Sequence, residues 1–120
     1  MSNFEKLLVW QKSMDLVMEI YRATEKFPVS EKFGLTSQMR RAAVSIPSNI
    51  AEGCDRITKK DFSNFLVIAK SSAGELETQI LIATNLKYLV HPKKDELIKR
   101  MLTGLRKKVL ETSSQKLATP

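Results

Sequence analysis

The residues that most often carry catalysis or bind metal are scarce: Cys54 and His91 are the only cysteine and histidine in 120 residues. One thiol has no disulfide partner and no second sulfur for zinc, and one imidazole beside Pro92 in a turn makes no paired-histidine site. A His/Ser/Asp set and a glycine-rich phosphate loop are both missing from the sequence. Glu75 and Glu77 come nearest to a carboxylate pair. Flanking Leu76, they project about 200° apart on a helix, which rules out a shared acid–base site. The sequence argues against an enzyme and implies no cofactor and no metal.

What remains is the chemistry of recognition. Gln38, Arg41, Ser45, Ser48, Asn49, Glu52 and Arg56 fall within about a third of a helix circumference. A solvated face normally carries long charged side chains, whereas Ser45, Ser48 and Asn49 are poor helix formers that hydrogen-bond locally. The stripe therefore points to a partner. Its plainer use is internal: Pro47 leaves a carbonyl near Ala43 without a donor, and a nearby hydroxyl or amide can satisfy it.

A second mixed stripe contains Ile68, Ser72, Glu75, Gln79, Ile82 and Leu86, rotated about 100° from the core stripe of its helix. It is either the edge of a wide core stripe or a face buried against another subunit, with Glu75 and Gln79 pairing Arg41 or Asn49 across the contact. The subunit-contact set expected on the second reading is Gln38, Arg41, Ser45, Asn49, Glu52, Ile68, Ser72, Glu75, Gln79 and Ile82.

Lysine and arginine total 20 against 13 acidic residues, a formal charge of +7 that attracts RNA, DNA or acidic protein surfaces. The candidate nucleic-acid contacts are Arg40, Arg56, Lys59, Lys60, Lys99, Arg100, Arg106 and Lys107. No aromatic residues are interleaved to stack bases, so binding would be backbone-directed, salt-sensitive and blind to sequence. An ordinary solvated basic surface is the alternative.

These residues need helices to position them. Apolar residues are 42% of the chain, charged residues 28%, and Gly and Pro only four each. Helix one is predicted from Leu8 to Lys26, with Val9, Ser13, Leu16, Val17, Ile20, Tyr21 and Thr24 inward. Phe27-Pro28 stops it. Helix two spans Leu35 to Cys54, with Leu35, Met39, Ala42, Ala43, Ile46 and Ile50 inward, a kink at Pro47 and a fraying end at Gly53. Thr58 and Asp61 cap helix three, which runs from Lys59 to about Tyr88 around Phe62, Phe65, Leu66, Ala69, Ala73, Leu76, Ile80 and Ala83. Helix four starts at Pro92 and buries Leu97, Ile98, Met101, Leu102, Leu105 and Val109. Short connections make sequential helices antiparallel neighbours, so the chain reads as an all-α, up-and-down four-helix bundle over residues 1–112, with a flexible tail over 113–120. Neither a secretion signal nor an apolar run of membrane-spanning length is evident, so a cytoplasmic protein is expected.

The string Gln38-Met39-Arg40-Arg41-Ala42-Ala43-Val44-Ser45-Ile46-Pro47-Ser48-Asn49-Ile50-Ala51-Glu52-Gly53 resembles the signature of the four-helix bundle family also called 23S rRNA intervening-sequence proteins. The resemblance extends to Leu8-Val9-Trp10-Gln11, to Phe27-Pro28, and to Phe62, Phe65, Leu66, Ile68, Ala69 and Glu75-Leu76-Glu77. It covers about Phe4 to Leu110. Family members often carry a Gly-Ser pair before Glu-Leu-Glu, whereas here Lys70-Ser71-Ser72-Ala73-Gly74 shifts the glycine. The resemblance implies a bundle that assembles into a ring, typically a pentamer. It also brings in relatives that serve as accessory variability determinants of diversity-generating retroelements and bind a reverse transcriptase and nucleic acid. A homo-oligomer, RNA or DNA, and a protein such as a reverse transcriptase are the partners so implied, with no membrane. A protein-interaction adaptor that docks an enzyme without binding nucleic acid is the competing reading.

Overall fold

The computed structural model describes residues 4–118, and for 113–118 the backbone alone. A 3-10 turn at Phe4–Lys6 leads into α1 (Leu8–Thr24), and a second at Val29–Glu31 precedes α2 (Leu35–Cys54). The remaining helices are α3 (Lys59–Asn85) and α4 (Pro92–Ala118). Each helix packs on its neighbours in the cyclic order α1, α2, α3, α4 and back to α1, with α2 against α3 the most extensive pairing. This is the antiparallel up-and-down bundle that the periodicity predicts, with principal extents of 49 × 25 × 22 Å.

The core is built from the expected stripes. Met39, Ile46 and Ile50 of α2 meet Leu16 and Ile20 of α1, Leu66 and Leu76 of α3, and Ile98 and Leu105 of α4 in one buried cluster. Phe65, expected inside, is only half-buried and lies outside the cluster, and Tyr21 and Leu97 are exposed. The last two sit at the margin of an apolar arc, where the helix period alone does not decide between core and surface.

Helix ends show how local sequence sets the boundaries. The Thr58 hydroxyl accepts the Asp61 N–H, as the cap predicts. α3 ends at Asn85 rather than near Tyr88, because the chain closes a Schellman motif. Lys87 takes φ 64°, Tyr88 N–H donates to Ala83 O at 2.9 Å, and Lys87 N–H donates to Thr84 O at 3.0 Å. α4 continues to Ala118 through part of the segment expected to be a tail. Gln115, Lys116, Leu117 and Ala118 are good helix formers, and Pro120 is the first residue after Pro92 that excludes a helix interior.

Gly53 corrects a second expectation. It is a buried residue within α2 rather than a fraying end. A Cβ there would stand 2.9 Å from Phe65 Cβ and 3.1 Å from Phe62 Cδ1, so the missing side chain lets α2 and α3 approach closely. Gly74 faces open space and gives no such approach.

Candidate interaction site along helix two

Helix two presents a different surface to each neighbour. Toward α3 the surface is polar and mostly self-satisfied. Ser45 Oγ and Ser72 Oγ lie 2.8 Å apart, which sets the register of the two helices. Asn49 Nδ2 donates to Ser45 O at 2.7 Å and to Ser45 Oγ at 2.9 Å. Ser48, on the side of α2 turned toward α1, donates its Oγ to Val44 O at 2.8 Å. The hydroxyl and amide reach the carbonyls of Val44 and Ser45, and not the Ala43 carbonyl that Pro47 leaves without its ladder donor, which corrects the expected repair. Most of the unusual Ser-Ile-Pro-Ser-Asn string is accounted for within the chain.

From α3, Ser72 is 8% and Gln79 5% exposed, so both lie inside the monomer rather than on a free face. Gln79 Nε2 donates to Glu75 Oε1 at 3.2 Å on its own helix. The pairing of Glu75 and Gln79 with Arg41 or Asn49 is therefore not formed within the chain. Gln79 Oε1 is buried with no hydrogen-bond partner among the described residues. Along the same seam a pocket of about 350 Å³ is lined by Gln38, Arg41, Ala42, Ser45, Ser72 and Glu75. Arg41 is exposed at its rim and makes no ion pair or hydrogen bond among the described residues.

Toward α1 the surface is apolar and open. Trp10, Met14 and Val17 of α1 face Val44, Pro47 and Ala51 of α2 across a trough of about 340 Å³ that Phe4 closes at one end. It continues past Val44 into a wider depression of about 610 Å³ edged by Tyr21, Phe33, Arg40 and Arg41. Val44 is 39% and Phe33 88% exposed, a large apolar area to leave in water. Beyond the polar seam, Ile68, Ile82 and Leu86 form a second exposed apolar stripe on α3. Sequence reasoning found the α3 stripe and missed the trough. Met14 and Val44 each fall outside the core stripe of their helix, and only packing brings them side by side.

The eight candidate cations divide by what they touch. Arg40 Nε donates to Thr24 Oγ1 at 2.9 Å and Nη2 to Tyr21 O at 3.3 Å, and its guanidinium lies 4.5 Å from the Tyr21 ring centroid. Arg40 thus caps the end of α1 and ties it to α2. Arg56 pairs with Glu52 at 2.6 Å and covers the Phe65 ring. Arg106 pairs with Glu77 across α3 and α4. Lys59, Lys60, Lys99, Arg100 and Lys107 make no such contact among the described residues. The first two open α3 and the others lie on α4, so the candidates are brought together as two groups and not as one patch.

No cluster of His, Cys, Asp or Glu among the described residues could hold a metal ion, and no described helix is long and apolar enough to cross a membrane.

Comparison with known proteins bears on the same segment. A family model described as 23S rRNA-intervening sequence protein matches residues 5–109. No curated protein matches the chain. Among solved structures, a protein of unknown function from the S23 ribosomal protein family of Bacteroides thetaiotaomicron VPI-5482 is similar, with a TM-score of 0.80 at 24% identity. The match covers 89% of this chain and 96% of that one, and it establishes likeness of fold.

Proposed function

The chain belongs to the 23S rRNA-intervening sequence protein family, and from that premise we propose that it is a non-enzymatic, cytoplasmic, ring-forming bundle. In this reading each subunit seats its α3 stripe in the α1–α2 trough of the next, and the basic surface binds the backbone of RNA or DNA without sequence preference. The observation that carries the proposal is the pair of exposed apolar surfaces on either side of α2. Two different surfaces on one small subunit favour a head-to-tail contact, and a head-to-tail contact ends only when a ring closes. A ring of five is the size that the family resemblance implies.

Arg41 stands between the two surfaces, lining both the trough extension and the seam pocket. An unpaired guanidinium there is placed to meet an acidic or carbonyl acceptor of the neighbouring subunit. Of the subunit-contact residues expected from the sequence, Gln38, Arg41, Glu52, Ile68, Glu75 and Ile82 are exposed, with Glu52 already paired to Arg56 and Glu75 accepting from Gln79. The seam hydroxyls and Gln79 support it from beneath.

Nucleic-acid binding rests on the cations left without partners, chiefly Lys99, Arg100 and Lys107 on α4 with Lys59 and Lys60. Phosphate contacts make log affinity fall linearly with log salt, by about 0.9 per contact on duplex DNA. Titrating a structured RNA and a DNA duplex at increasing salt tests this. Removal of Arg100 and Lys107 should weaken binding alike for all sequences and lower the slope by about one per cation. The adaptor reading has one specific observation in its favour: Arg40, Arg56 and Arg106 are committed to intramolecular contacts, which thins the basic surface. Negligible RNA binding at every salt, with assembly intact, would move the assignment to a protein-docking ring.

A further inference from the structure

A groove of about 290 Å³ opens at the end of the bundle where α1 finishes and α4 begins, and it shares no lining residue with the surfaces that flank α2. Its floor is apolar, made by Ala23, Leu89 and Ile98. One wall is Tyr88, whose ring is held against Phe27 at 5.3 Å between centroids and whose hydroxyl donates to Glu31 at 2.9 Å. The rim carries Lys26, Lys87 and Lys94, whose ammonium groups make no ion pair or hydrogen bond among the described residues. Of the two carboxylates in the lining, Glu19 is already paired with Arg22 at 2.7 Å, which leaves Asp95 as the one lining carboxylate without an ion pair among the described residues. Lys87 reaches the rim from φ 64°, a backbone conformation that glycine adopts at no cost and lysine does not.

We propose that this groove binds a small organic dianion with a flat apolar body, the chemistry of a nucleoside 5′-monophosphate. The base would lie on the apolar floor beside Tyr88. The phosphate would meet the ammonium groups of Lys87 and Lys94, with Lys26 lending further positive potential. The volume is near the lower end of small-molecule sites, about 300 Å³, which suits one nucleotide unit and not a longer segment. The same chemistry occurs on a free nucleotide and on the phosphorylated 5′ end of an RNA strand. The inference goes beyond the proposed function and requires neither ring assembly nor binding along a nucleic-acid backbone.

The test is a heteronuclear NMR titration of the full chain with AMP, adenosine and inorganic phosphate at low salt, followed by a trinucleotide with and without a 5′-phosphate. AMP is expected to shift the amides of Ala23, Lys87 to His91 and Lys94, with affinity about tenfold above that of either fragment. The double variant Lys87→Glu, Lys94→Glu alters two exposed side chains and should keep the wild-type melting curve while losing at least about tenfold in AMP affinity. A 5′-phosphorylated trinucleotide that binds as tightly as AMP, with its 5′-hydroxyl form silent, supports the site and makes a strand end its source; weaker binding than AMP supports it with the free nucleotide as source. Equal affinity for AMP and phosphate, or shifts spread over the outward cations of α4, would overturn the proposal. So would AMP binding that the folded double variant retains.

Discussion

The two flanks of α2 are built from opposite materials. Against α3, hydroxyls and an amide bond to one another and to carbonyls, glycine permits close approach, and little is left for an outside partner. Against α1, Trp10, Met14, Val17, Val44 and Pro47 leave a groove that no described residue fills. The comparison teaches that unusual polar residues in a helix do not by themselves mark the surface awaiting a partner. Polarity here is largely satisfied inside the chain, and the apolar area left open lies on the other side.

The largest effect expected from this contrast is on the apolar flank. Val44→Asp places a carboxylate in the trough and should weaken self-association at least about a hundredfold, roughly 2.7 kcal/mol, while circular dichroism shows the bundle intact. Next in size is Arg40→Ala, which removes a cap on α1 and a stacked ring contact. It should cost about 1–2 kcal/mol of unfolding free energy by urea titration. Arg100→Ala, by contrast, should leave stability within about 0.5 kcal/mol and change only the salt dependence of RNA binding.

On the polar flank the effects are smaller. Ser72→Ala removes the partner of Ser45 across the seam and should cost about 1 kcal/mol without changing the mass of the assembly. Gln79→Met retires an acceptor that no donor among the described residues reaches, and stability should be unchanged or rise by up to about 1 kcal/mol. A marked loss of assembly in either variant would mean that the seam, and not the trough, holds the subunits together. The smallest effect concerns the far end of the bundle. The Tyr88 hydroxyl is held above the usual tyrosine range, first by its hydrogen bond to Glu31 and then by desolvation and the Glu31 charge. A raised folded-state value means that the contribution is complete below about pH 10 and is lost as pH climbs through that higher value. Tyr88→Phe should flatten the alkaline decline seen in thermal melts of the wild type.

Much of this architecture is legible in the sequence. The α2 stripe from Leu35 to Ile50 is buried residue for residue, and Thr58 caps α3 as its position relative to Asp61 demands. Periodicity is a property of one helix, and it succeeds where one helix decides. It states that Ser45, Asn49, Ser72 and Gln79 lie off the core, but not that α3 would press the two stripes together. It cannot bring Met14 and Val44 into one trough, since each reads as an isolated surface residue on its own helix. Arg40 and Arg41 are adjacent in sequence and identical in type. A 100° rotation sends one to the carboxyl end of α1 and leaves the other without an ion pair among the described residues.

The most direct test of the head-to-tail assembly is a light-scattering mass measurement on two single-surface variants, Val44→Asp in the trough and Ile82→Asp on the α3 stripe, alone and mixed. Wild type should have the mass of a closed ring, each variant alone that of a monomer, and the equimolar mixture that of a dimer. In that dimer the one intact trough holds the one intact stripe, and no free surface is left for growth. A monomeric wild type, or variants that assemble as wild type does, would contradict the account. So would a mixture that remains monomeric.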